Sequence, residues 1–72
     1  MKDFFGNDIK IGDRVAYIMD RNLEYGYIVG ISDASMGKVD NKPYNKNNDY
    51  SCRENYIRNV SNYQIVKADE NR

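Results

Sequence analysis

Seven tyrosines, with no tryptophan and no histidine, set the chemistry open to this chain. A tyrosine offers a large, stiff contact area with one polar tip, and such rings are enriched where proteins grip partners. Tyr44, Tyr50 and Tyr56 alternate with Lys38, Lys42, Lys46, Arg53 and Arg58. Cations with aromatic rings between them are what a groove for single-stranded nucleic acid uses. The plainer reading is a solvated loop, with Asp40, Asp49 and Glu54 diluting the charge. Tyr17, Tyr27 and Tyr63 fit better as packing residues of strands, whose rings bury while their hydroxyls stay wet. Without histidine the usual general base near neutral pH is missing. The commonest zinc ligand goes with it, and the one cysteine, Cys52, cannot build a zinc site alone. Cys52 has no histidine to activate it, and Arg53 alone beside it lowers a thiol pKa only a little. Asp13, Asp20, Glu24, Asp33, Asp40 and Asp49 do not follow the spacing of a calcium loop. Asp13 and Asp33 read as turn residues that bond their own backbone. Gly12, Gly26 and Gly30 match no phosphate-loop spacing. The expectation is no catalytic residue, no metal and no cofactor.

With 72 residues there is room for one domain, spanning 1–72, with a small core and a thin stability margin. One cysteine allows no internal disulfide, so packing, a partner or a second copy must supply the stability. Eleven Lys and Arg face eleven Asp and Glu, which argues against strong nonspecific nucleic-acid binding. The second half of the chain is the more basic. No apolar run approaches the ~18 residues of a membrane helix, and the first residues, Met1 to Gly6, hold no secretory signal. The chain is expected to be cytoplasmic, away from any membrane.

The elements that must position these residues follow from alternation and turn signals. Gly6-Asn7 marks a turn between Phe4-Phe5 and Ile9, so residues 3–10 read as a lead-in, with Phe4 or Phe5 covering one end of the core. After Gly12-Asp13 a strand runs from Arg14 to Met19, with Val15, Tyr17 and Met19 on one face and Arg14, Ala16 and Ile18 on the other. Asp20-Arg21-Asn22 is a polar hinge. A long strand follows from Leu23 to Ser32, and its glycines predict a bulge or bend past which the inward face can change. Residues 33–37 form a turn and Lys38 to Asp40 a short strand. Residues 41–49 form an exposed polar loop. Tyr50 to Val60 reads as a fourth strand, with a helix capped by Asn48 or Asp49 as the alternative. Ser61 to Tyr63 reads as a tight 3₁₀ turn, Gln64 to Ala68 as the last strand, and 69–72 as a frayed end. The predicted core is Val15, Tyr17, Ile28, Val29, Ile31, Val39, Val60, Ile65 and Val66.

The opening pattern, Ile9, Gly12-Asp13-Arg14-Val15, then Leu23, Gly26 and Ile28-Val29-Gly30-Ile31, resembles the start of SH3-like small barrels of KOW and Tudor type. Residues 60–67 are similar to the 3₁₀ turn and last strand of that fold. The resemblance implies an all-β, SH3-like small barrel of about five strands with a short 3₁₀ turn before the last. The chain also resembles small accessory proteins of bacteriophages. Such barrels bind many targets, so the fold alone names none. The leading expectation is a non-catalytic protein-binding module, a phage-type factor docking on and modulating a host protein through Tyr25, Tyr44, Tyr50, Arg53 and Tyr56. The alternative is a KOW-like module for RNA or single-stranded DNA, using Lys38, Lys42, Lys46 and Arg58. A weak homodimer is expected as well, with Tyr25 or Tyr27 at an exposed strand edge.

Overall fold

Alternation sends Val15 and Tyr17 to one side of the first strand, and that side meets the core. The computed structural model describes residues 1–33, 35–50 and 56–68. It contains β1 (Arg14–Met19), β2 (Asn22–Asp33), β3 (Met36–Asp40), β4 (Arg58–Ser61), a 3₁₀ turn (Asn62–Gln64) and β5 (Ile65–Lys67). All neighbouring strands are antiparallel, in the order β4-β3-β2-β1-β5. No α-helix occurs among the described residues, so none there is long and apolar enough to cross a membrane.

The connection from β4 to β5 sets the curvature. These two strands lie at opposite edges of the sheet, yet only the 3₁₀ turn separates them. In a flat sheet the edges would lie ~19 Å apart, at about 4.8 Å per strand spacing. The four residue steps from Ser61 to Ile65 reach ~14 Å at most. The sheet must therefore curl until its edges approach. No ladder joins β4 to β5 among the described residues, so the expected barrel is an open, curled sheet rather than one closed by hydrogen bonds.

Ile9, Val15, Tyr17, Ile28, Val39, Val60 and Ile65 form the buried cluster, with Met1, Met19 and Ile31 packed against it. The long strand bends as its glycines predict. A bulge falls between Ile28 and Gly30, and Val29 is the extra residue. Before the bulge Ile28 faces the core opposite Val39; after it Ile31 does, opposite Gly37. Val29 is buried outside the cluster, and Val66 is only half-buried, because its partner Ala16 lies on the outer face of β1.

Three further expectations are corrected. Phe4 and Phe5 do not cover the core; both are exposed, and Met1 and Ile9 pack there instead, tied by the Ile9 amide donating to Met1 O at 2.7 Å. The fourth strand is Arg58–Ser61 rather than Tyr50 to Val60. β3 has only five residues, and its pairing with β4 ends at Val39 opposite Arg58, with Tyr56 and Ile57 outside the strand. The strand-or-helix question over 51–55 lies outside the described residues, as does the frayed end at 69–72. Finally, Tyr63 does not pack. It sits in the 3₁₀ turn and is 76% exposed.

Candidate docking face

β1 carries apolar residues on both of its faces. Val15 and Tyr17 point in, while Ala16 and Ile18 point out. Pairing then extends the outer set across three strands. Ala16 lies between Tyr25 on β2 and Val66 on β5, and Ile18 faces Leu23. Ile18, Leu23 and Tyr25 are all more than half exposed. An apolar strand covered on both faces reads as a continuous apolar run, and Val15 to Met19 is such a run. Among the described residues only the inner face is covered.

Two local structures frame the outer face. The first is the 3₁₀ turn. Ser61 Oγ accepts from the Tyr63 amide at 3.3 Å, and Gln64 Nε2 donates to Ile18 O at 2.9 Å, which locks the turn to the end of β1. The second is the N-terminal turn built around Asp3. The Gly6 amide donates to Asp3 O, and Gly6 takes a φ of 86° that favours glycine. Asp3 Oδ1 accepts from the amides of Phe5 and Asn7, and Oδ2 accepts from Asn7 Nδ2 and from the Lys67 amide at 2.8 Å. The Phe4 amide in turn donates to Ile65 O at 2.8 Å, so this turn covers the outer edge of β5. Burial pushes the Asp3 carboxyl up, but the donated hydrogen bonds outweigh it and hold the group below the usual carboxylate range.

Between these frames lies a groove of about 210 Å³, with walls formed by Phe4, Ala16, Ile18, Leu23, Tyr63 and Val66. Its wall is almost wholly apolar, and no charged side chain lines it. Small-molecule sites run to roughly 300–1,000 Å³ with a few convergent polar groups. This groove is smaller and lacks them; it has room for one aromatic or branched aliphatic side chain. Tyr17 touches it from within the sheet. Its hydroxyl donates to Glu24 Oε1 at 3.4 Å, and burial first, then the Glu24 charge, raises its pKa, so it stays a neutral donor at pH 7.

The residues singled out from the sequence are distributed over several surfaces. Tyr25 belongs to the outer face, its ring under the Arg14 guanidinium at 5.3 Å. Tyr27 is half-buried, and β2 lies in the middle of the sheet, so neither ring sits on the outer edge strand expected for a dimer contact. Tyr44 and Tyr50 stack on each other, centroids 5.6 Å apart and planes at 9°, and the Asn45 amide donates to Tyr50 Oη at 2.8 Å. This pair closes the polar loop. Tyr56 is exposed just before β4, and Arg53 lies outside the described residues. Lys42 and Lys46 are exposed in the loop. Lys38 pairs with Asn59 on the outer face, whereas Arg58 pairs with core-facing Val39 and places Nη1 3.5 Å from Met19 Sδ. Lys38 and Arg58 therefore occupy opposite faces.

Asp13 and Asp33 are turn residues as read from the sequence. Asp13 accepts from the Lys10 amide, and Asp33 accepts from the amide and hydroxyl of Ser35. Among the described residues no three His, Cys, Asp or Glu side chains are grouped to hold a metal ion. Sequence reasoning passed over Phe4, Ile18, Leu23 and Tyr63 as site residues. The signal that could have found the strand part is the unbroken apolar run of β1, too apolar for a strand with one wet face.

The chain belongs to the DUF7205 family, whose model, described as a domain of unknown function, matches residues 1–66. No curated protein matches the chain, and no solved structure does.

Proposed function

We propose that this domain is a non-catalytic protein-binding module that docks through the outer face of β2, β1 and β5. One observation carries the reading: the apolar groove bordered by exposed Phe4, Ile18, Leu23 and Tyr63, in a strand whose other face is already the core. The occupant is a protein segment presenting one aromatic or branched aliphatic anchor. The groove's size fits one such side chain, and its uncharged lining offers nothing to a phosphate or a metal. The 3₁₀ turn before the last strand supports the likeness to SH3-like barrels, a fold used widely for recognition. The nucleic-acid reading draws less support, since Lys38 and Arg58 do not share a face. Affinity capture from a host lysate with nuclease added tests the proposal, run with wild type and with Leu23→Lys. Leu23 is 61% exposed, so the substitution leaves the core intact. The expected result is a protein held by wild type and lost by Leu23→Lys at unchanged thermal stability. Equal capture by both overturns it, as does capture by neither when wild type is also monomeric in solution.

A further inference from the structure

The docking face carries a knob beside its hole. The Phe4 ring forms one wall of the groove, and the Phe5 ring stands edge-on against it at 5.1 Å, outside the groove and 71% exposed. An exposed phenylalanine on a floppy segment would be unremarkable. Here the backbone that carries the ring is fixed: the amides of Phe5 and Asn7 both bond the buried Asp3 carboxylate, and the Phe4 amide is tied to β5. With the backbone already ordered, only the ring's own rotamers remain to be fixed on insertion.

We infer that the occupant of the groove is the Phe5 ring of a second copy of this chain, in a two-fold dimer that buries both grooves. The inference rests on reading this face as a docking surface, and deepens it by naming the partner. A two-fold interface requires that knob and hole lie on one surface, so that each copy fills the other. The axis must then pass between a copy's own Phe5 and its own groove, where Phe4 stands, and the two Phe4 rings meet there.

Three further features agree with a second copy. The exposed parts of Phe4, Phe5, Ile18, Leu23, Tyr25 and Tyr63 amount to on the order of 800 Å², comparable with what each partner brings to a standard interface. The equal counts of acidic and basic residues leave two copies with no net repulsion to overcome. The edge of β5, which borders this face, is closed to strand pairing by the Phe4 amide on Ile65 O and the Asp3 carboxylate on the Lys67 amide. Face-to-face packing is what this side of the sheet leaves open.

Sedimentation equilibrium of the whole chain over a wide concentration range tests this, with wild type, Phe5→Ser and Leu23→Lys. Both positions are exposed, and thermal unfolding checks that the variants fold. Wild type should show a monomer–dimer equilibrium that each substitution weakens by roughly tenfold or more. A sample mixing isotope-labelled and unlabelled copies should then show transfer between the Phe5 ring of one and the Leu23 methyls of the other. Wild type staying monomeric throughout overturns the dimer; if Leu23→Lys still abolishes capture of a lysate protein, the docking face itself survives. A dimer that both substitutions leave intact, or transfer that bypasses Phe5, also overturns the inference.

Discussion

Asp3 is a single buried carboxylate that organises the N-terminal turn and caps the edge of β5. Asp3→Ala removes the acceptor for the amides of Phe5, Asn7 and Lys67, and is expected to cost about 3 kcal/mol in urea unfolding at neutral pH. Its pKa is lowered in the folded state, so the stability it supplies is present above the ordinary carboxyl range and is lost as pH falls through the lowered value. Unfolding curves taken from pH 7 down to pH 3 should show wild type weakening below about pH 4, and Asp3→Asn should lack that part of the loss. Gly26 makes a second residue-scale point. A Cβ there would lie 2.5 Å from Val39 Cγ1 and 2.8 Å from the backbone oxygen of Asp40. The backbone of β3 cannot yield as a flexible side chain can, so Gly26→Ala should cost about 1–3 kcal/mol by chemical denaturation.

The hairpin joining β1 to β2 is informative at the scale of the element. Met19 pairs with Asn22, leaving a two-residue turn, and both of its residues take positive φ, 53° at Asp20 and 68° at Arg21. That is the backbone a right-twisted hairpin prefers, and glycine is its favoured second residue. Arg21→Gly should therefore stabilise the domain by about 0.5–1 kcal/mol, read as a rise of a few degrees in Tm. What the sequence presents as a polar hinge is thus a tight turn, its conformation set by strand twist more than by the residues in it. The bend in β2 was legible at Gly30, because a glycine inside a long apolar strand has few other uses. The short reach of β4 was not legible, since it depends on where β3 runs out.

For the whole molecule, the two apolar surfaces of β1 make contrasting predictions. Substitutions on the inner face, such as Val15→Ala, should lower stability by about 1–3 kcal/mol, because Val15 is fully buried. Ile18→Lys on the outer face should leave Tm nearly unchanged and abolish capture of a partner. Short RNA and single-stranded DNA, followed by fluorescence anisotropy at two salt concentrations, provide the contrast with the alternative function. Basic side chains split between two faces should give weak binding without a steep salt slope. Tight, salt-sensitive binding would move the function to the Lys38, Lys42 and Lys46 side.

The order of apolar and polar residues determined an all-β chain, the limits of β1, the bend in β2, and Val15, Tyr17, Ile28, Val39, Val60 and Ile65 as core. These follow from local rules of alternation and turn chemistry, which act over a few residues and need no knowledge of the rest. Only the tertiary structure decided that Met1 and Ile9 go in while Phe4, Phe5 and Tyr63 stay out. Hydrophobicity says that a side chain gains from cover; it does not say which element supplies it. The curled sheet has one interior, sized by its five strands, and once Met1 and Ile9 close its end the phenylalanines lie on the other side of the turn. The groove exists for the same reason, because Phe4, Ile18, Leu23 and Tyr63 come from four places in the chain that only the pairing of β1 with β2 and β5 brings together.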